Sequence, residues 1–269
     1  MPKLKDFSCK KVKSGLYLQC VQSFLTKGVY MSGNFVYNRV LLKLSGETLK
    51  GKLDHGYDAD AVRSAVARIK PLVDQGLEVA IVVGAGNIWR GVMGANTGMD
   101  PVTCDYMGMM ATMMNALCLK EFCNNSGLNA VVYGSTPFST AVPQFDREKA
   151  MNDLSAGKVV IFAGGTGSPF FTTDTTAALR ALETQCDAVL KATKVDGIYT
   201  ADPFKDPNAV RFKVLSYEEA LSRQLKVMDA AAFSLCREHD LPIIVFNFFE
   251  AGSLERVLTG DTAAGTVVK

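Results

Sequence analysis

Residues 158–182 read KVVIF-AGGTGSPFFTTDTT-AALRAL, and the middle block, Ala163 to Thr176, decides how the chain is organised. Lys158 to Phe162 is a short, β-branched apolar run of the kind that forms a buried strand, and Ala177 to Leu182 reads as a helix. A strand that breaks into glycines and threonines and then becomes a helix is a common place to hold an anion. Glycines let backbone N–H groups approach a ligand, and the helix N-terminus adds positive partial charge. Thr172, Thr173, Thr175 and Thr176 supply hydroxyls, with Asp174 as the one fixed negative charge among them. Capping a helix needs one such residue, not four.

The chain has 269 residues, 48% hydrophobic and 21% charged, which suits one large α/β domain or two small ones. No apolar run reaches the roughly 18 residues of a membrane helix, so no membrane association is expected. Seven cysteines without a CxxC pair suggest neither a disulfide framework nor a zinc site, and point to a reducing, cytoplasmic setting. With two histidines, a histidine-rich metal centre is not expected. Residues 1–39 carry seven basic side chains against Asp6, so the rest of the chain is mildly acidic, which argues against a nucleic-acid groove. Residues 1–35 read as a basic, unstructured extension or as the product of a start codon upstream of Met31, and 36–269 as a single domain. The leader lacks the apolar core of a secretory signal.

Val36 to Leu44 reads as the first buried strand, ending in Lys43-Leu44-Ser45-Gly46-Glu47. A lysine at the carboxyl end of a strand, followed by Ser-Gly, sits where α/β folds bind ligands. Asp58 or Asp60 caps a helix with Val62, Ala65, Val66, Ile69 and Val73 on one face, and Leu77 to Val83 is the second strand. It opens into Gly84-Ala85-Gly86-Asn87-Ile88-Trp89-Arg90-Gly91, a turn that brings backbone N–H groups to phosphate with Arg90 as a fork. The spacing matches neither the dinucleotide fingerprint nor a Walker A loop. Residues 92–103 read as a loop. Asp105 to Phe122 reads as a methionine-rich helix, apolar on more than one face and so a candidate subunit interface as well as core. Asn129 to Tyr133, Ala188 onward, Pro242 to Phe246 and Thr266 to Val268 are further strands, with helices between them and a turn at Asp196-Gly197 followed by a second extended piece. Strands and helices alternate, which predicts one α/β domain with a mostly parallel sheet.

KLSGE at 43–47, GAGNIWRG at 84–91, DYMGMMATMMNAL at 105–117, the 163–178 stretch and KATKVDGIYTADPFKDP at 191–207 together resemble the bacterial UMP kinases. LKVMDAAAF at 225–233 and LPIIVFNFFEAGSLERVL at 241–258 extend the likeness, which covers roughly residues 36–269. The resemblance implies the amino acid kinase fold, a three-layer αβα sandwich with a mostly parallel central sheet. It implies transfer of the γ-phosphate of ATP to UMP in pyrimidine nucleotide biosynthesis, by a homohexamer subject to feedback inhibition by UTP. Mg2+ is implied to bind through the nucleotide phosphates rather than to the protein.

By the same resemblance Lys43, Leu44, Ser45 and Gly46 line the phosphates, Gly86 and Arg90 hold ATP or the transferring group, and Thr193, Tyr199 and Asp202 surround adenosine. Ala85 lies against UMP, Asp105 bonds its ribose, and Thr166, Gly167, Ser168, Pro169, Phe170, Phe171, Thr172 and Thr173 cradle it. Asp174 orients two lysines, Lys43 and Lys226, which with Arg90 complete the catalytic set. Ala85 replaces the middle glycine of the family's Gly-Gly-Gly-Asn, which requires a negative φ there, and Ser168 replaces an asparagine amide with one shorter hydroxyl. Two other readings share the fold: a kinase acting on a carboxylate or carbamate, and a non-catalytic oxyanion storage protein.

Overall fold

Val40, Leu42 and Leu44 of the first strand, β1 (Arg39–Leu44), pack into one layer of helices, and Leu41 packs into the other. The two-residue period of a strand therefore puts Lys43 on the Leu41 face. The same alternation runs through β2 (Glu78–Val83), where Val79, Ile81 and Val83 face the first layer and Ala80 and Val82 the second. It recurs in β5 (Ala188–Thr193): Ala188, Leu190 and Ala192 face the first layer, and Val189 the second. Lys191 follows Val189 by parity.

The computed structural model describes residues 34–91, 94, 98–225 and 227–269. The basic segment expected to be an extension therefore lies, up to residue 33, outside the described residues, as do part of the 92–103 loop and Lys226.

The other strands are β3 (Ala130–Gly134), β4 (Val159–Ala163), β6 (Val214–Leu215), β7 (Ile243–Asn247) and β8 (Gly265–Val268). They form one sheet in the order β3-β4-β2-β1-β5-β7-β8-β6, parallel at every pairing except β7 with β8. The first helix layer holds α2 (Ala59–Asp74), α3 (Pro101–Asn125) and α8 (Ser253–Leu258). The second holds α4 (Arg147–Ser155), α5 (Thr173–Glu183), α6 (Tyr217–Ser222) and α7 (Ala230–Glu238). A short α1 (Glu47–Lys50) follows β1. This is the αβα sandwich expected. The chain passes from β1 to β2, out to the edge strand β3, back to β4 between β3 and β2, and then places β5 on the other flank of β1. The carboxyl ends of β1 and β5 are thus a topological switch point, where open α/β sheets bind ligands.

Two expectations need correction. The methionine-rich helix begins at Pro101, not Asp105: the Asp100 carboxylate accepts from the Thr103 N–H at 3.0 Å, and proline at the first helical position needs no N–H partner. The last residues of the expected 92–103 loop are therefore helical. The helix after β4 begins at Thr173 rather than Ala177, because the Thr172 side chain caps it by accepting from the Asp174 N–H. In the extended piece after Asp196-Gly197, Tyr199 forms an antiparallel bridge with Arg211.

Candidate active site

Lys43 and Lys191 are direct partners across the β1–β5 pairing and both project toward α5. Two ammonium groups on neighbouring strands repel unless a counter-charge lies between them, and Asp174, in the first turn of α5, supplies it. Its Oδ2 accepts a hydrogen bond from Lys191 Nζ at 2.7 Å, and its Oδ1 forms an ion pair with Lys43 Nζ at 2.8 Å that lacks hydrogen-bond alignment. Lys191 also donates to the Val227 carbonyl at 2.7 Å, so it is the more firmly held of the two lysines. Burial pushes the Asp174 carboxyl up, but Lys43 and Lys191 outweigh it and keep the group below the usual carboxylate range.

Sequence reading put Lys226 beside Asp174; Lys226 lies outside the described residues, and Lys191 is the second lysine the structure brings to that carboxylate. Lys191 had a signal of its own, a lone charge inside the otherwise apolar strand AVLKAT.

Two loops close over the strand ends. Ser45 and Gly46 approach the β2 turn so tightly that a Cβ on Gly46 would lie 2.4 Å from Asn87 Oδ1 and 2.6 Å from the Gly84 carbonyl oxygen. That turn is clipped by a buried amide pair. Asn115 Nδ2, on α3, donates to the Gly84 carbonyl and to Asn87 Oδ1, both at 2.7 Å, and Asn87 Nδ2 donates to the Gly56 carbonyl at 3.0 Å. Ala85 is not among the described non-glycine residues with positive φ, so its methyl is accommodated as required. The Arg90 guanidinium turns to the Glu47 carboxylate and the Gly86 carbonyl. Leu44 is fully buried in the core, which leaves its backbone alone facing the loop.

The 164–176 stretch takes the positive φ angles that only glycine adopts cheaply, at Gly164, Gly165 and Gly167, and one at Phe170 (φ 69°). Phe170 is held there by its N–H, which donates to Asp105 Oδ2 at 2.7 Å; one oxygen of Asp105 is thus committed to the protein. The threonines divide. Thr172 and Thr173 line a cavity of about 180 Å³ together with Ala85, Asp105, Gly165 and Phe171. Thr175 and Thr176 are buried and turned away from it. Even Thr172 gives its hydroxyl proton to Asp229, so its contribution to the cavity is shape more than a donor. Thr166 and Ser168 bond each other in a local turn. Gly167, Pro169 and Phe170 lie on the loop beside that cavity without lining it, and Phe170 is 75% exposed.

A second cavity, about 560 Å³, opens on the other flank of Asp174 and is lined by Lys191, Thr193, Tyr199, Asp202, Leu225 and Val227 among others. Three of these polar groups are already oriented: Thr193 Oγ1 donates to the Val195 carbonyl at 2.6 Å, Tyr199 OH to Asp196 at 2.6 Å, and Asp202 accepts from the Phe204 N–H at 3.0 Å. Its volume falls in the range of small-molecule sites, ~300–1,000 Å³. A third cavity of about 570 Å³ lies by α2, lined by Asp58, Arg68, Lys194 and Phe248. Several of its charged groups are committed elsewhere: Asp58 caps α2, Arg68 donates to the Phe249 and Glu250 carbonyls, and Lys194 faces Glu47. It presents no convergent set of groups. Lys191 of the Lys43–Asp174–Lys191 triplet lines the second cavity, and Thr173, next to Asp174 in the chain, lines the first. Such a layout can align two anionic reactants and neutralise charge between them.

A family model described as the amino acid kinase family matches residues 38–247. Among solved structures, UMP kinase from Bacillus anthracis is 36% identical with a TM-score of 0.84, over 87% of this chain and 96% of that one. UMP kinase from Ureaplasma parvum is 34% identical with a TM-score of 0.82, over 86% and 98%. Uridylate kinase from Archaeoglobus fulgidus is 28% identical with a TM-score of 0.66, over 86% and 99%.

Proposed function

The chain belongs to the amino acid kinase family, and from that premise we propose that it is a UMP kinase, converting ATP and UMP to ADP and UDP. The observation that carries the reading is Asp174 held between Lys43 and Lys191, with a cavity on each flank. A phosphate oxygen of UMP attacks the γ-phosphorus, a new P–O bond forms, and the bond to the β,γ-bridging oxygen breaks as ADP leaves. The UMP phosphate is already ionised near neutral pH, so no general base is needed. Alignment and charge neutralisation supply the catalysis.

In this assignment Lys43, less tightly held, turns its ammonium to the transferring group, and Lys191 stays on Asp174 as the fixed positive charge of the donor side. Arg90 exchanges Glu47 for phosphate. Backbone N–H groups of Ser45, Gly46 and Gly86 face the phosphates. Thr193, Tyr199 and Asp202 take the adenosine; Ala85, Asp105 and the loop 166–173 take UMP, with the second oxygen of Asp105 for the ribose. Mg2+, when bound, neutralises nucleotide phosphate charge. Both oxygens of Asp174 are occupied by lysines, which favours a metal held by the phosphates rather than by this carboxylate.

Residues 36–269 form the single domain of this proposal, supported by the family match and by the compactness of the unit from Met31 onward. We also assign a cytoplasmic setting, a role in pyrimidine nucleotide synthesis, homohexamer assembly and inhibition by UTP, which shares its base and ribose with UMP. An exposed apolar stripe on α3 supports assembly: Tyr106, Met110 and Met114 recur every four residues and are 49–57% exposed. Asp105 beside the smaller cavity favours a ribose-bearing acceptor over a small carboxylate. A coupled assay with UMP, CMP and aspartate tests this: turnover with UMP is expected, and turnover with aspartate alone, or none, would overturn it.

A further inference from the structure

Asp229 stands just before α7 and its carboxylate does more than cap that helix. Oδ1 accepts from the Ala232 N–H at 2.9 Å, which is the ordinary cap. Thr175 Oγ1 lies 2.9 Å from both oxygens, and Thr172 Oγ1 donates to Oδ2. Thr172 is in turn the cap of α5, accepting from the Asp174 N–H at 3.0 Å. One carboxylate therefore ties the N-termini of two helices together, and both helix dipoles favour its charge. Three donors, the Ala232 N–H and the Thr172 and Thr175 hydroxyls, thus converge on one carboxylate.

The two sides of this tie are the two sides of the site. Leu225 and Val227, just upstream of Asp229, wall the larger cavity, and the Val227 carbonyl fixes Lys191. Thr172 and Thr173, on the other side, wall the smaller cavity, and Asp174 follows them. A cap for α7 alone has no need of hydroxyls from α5. We infer that Asp229 is a positioning residue: it sets Asp174, and through it the lysine pair, in register with the wall of the donor cavity. It touches neither nucleotide. The inference rests on the phosphoryl-transfer reading above.

The test compares the parent protein with Asp229→Ala, Asp229→Asn and Thr175→Val, recording kcat, KM for ATP and for UMP, and Tm. Because small displacements of aligned groups cost turnover more than binding, Asp229→Ala is expected to lower kcat by about 10²-fold with each KM within about threefold. Asp229→Asn keeps the volume and one acceptor oxygen, and should restore kcat to within about tenfold of the parent. Thr175→Val combined with Asp229→Ala should cost no more than Asp229→Ala alone, since the two remove one network. A kcat within about threefold of the parent for Asp229→Ala, a loss confined to KM or Tm, or strict additivity overturns the inference. If Asp229→Ala does not fold, the Thr172→Val, Thr175→Val double variant is held to the same thresholds. A parent that makes no UDP defeats the functional reading and this inference with it; an active parent with insensitive variants defeats this inference alone.

Discussion

At the scale of single residues, the site is an argument between charges settled by one carboxylate. Lys43→Ala and Lys191→Ala each remove a preorganised cation, and each is expected to lower turnover by about 10²–10³-fold in a coupled assay. The double variant should lose less than the product of the two, because the lysines act as a unit. Normal turnover in Lys191→Ala would return the second position to another lysine. Asp174 is depressed below its ordinary range, so its contribution to stability is fully present above the unfolded value, about 3.9, and is lost as pH falls through the lower folded value. Asp174→Asn should therefore cost about 3 kcal/mol in urea unfolding at pH 7. It should also show a shallower loss than the parent between pH 5 and acid, those bounds being approximate. Lys43 was legible in the sequence because a strand-end lysine before Ser-Gly is a local pattern. Lys191 was visible as a charge in an apolar strand, but its partner was not, since the partner comes from another helix.

At the scale of elements, the loops proposed to face phosphate are clipped in place by other elements. Asn115 lies on α3, far in sequence from the turn it holds, and is fully buried. Asn115→Leu strands the Gly84 carbonyl and the Asn87 amide, and should cost about 2 kcal/mol, read as a lowered urea midpoint with unchanged slope. An unchanged midpoint would mean that the turn holds itself. The longer strands and helices were legible from two-residue and 3.6-residue apolar periods, whereas the four-residue α1 and the two-residue β6 are too short to show a period. The start of α3 was missed, since Asp100-Pro101 was read as loop although that dipeptide is itself a cap followed by a favoured first helical residue. The threonine-rich helix was started four residues late because threonine is a poor helix former, and the gain from the Thr172 cap was not counted.

For the whole molecule, the sandwich leaves an apolar stripe on α3 uncovered, Tyr106, Met110 and Met114. Sedimentation of the parent should show an assembly, and a Met110→Lys, Met114→Lys variant should shift it to smaller species; an unaffected assembly would place the interface elsewhere. Order along the chain, the alternation of strand and helix and the glycine- and threonine-rich turns follow from the sequence by itself, because periodicity, capping and turn chemistry act over a few residues. The tertiary structure alone decided that β5 pairs with β1 so that Lys191 stands beside Lys43, that Lys191 is a second lysine on Asp174, and that Thr172 and Thr175 give their hydroxyls to Asp229. Those outcomes depend on contacts between segments 17 to 148 residues apart in sequence, from Asp174 with Lys191 to the pairing of β1 with β5. Such contacts are set by the joint packing of both helix layers on the sheet, which no local pattern encodes.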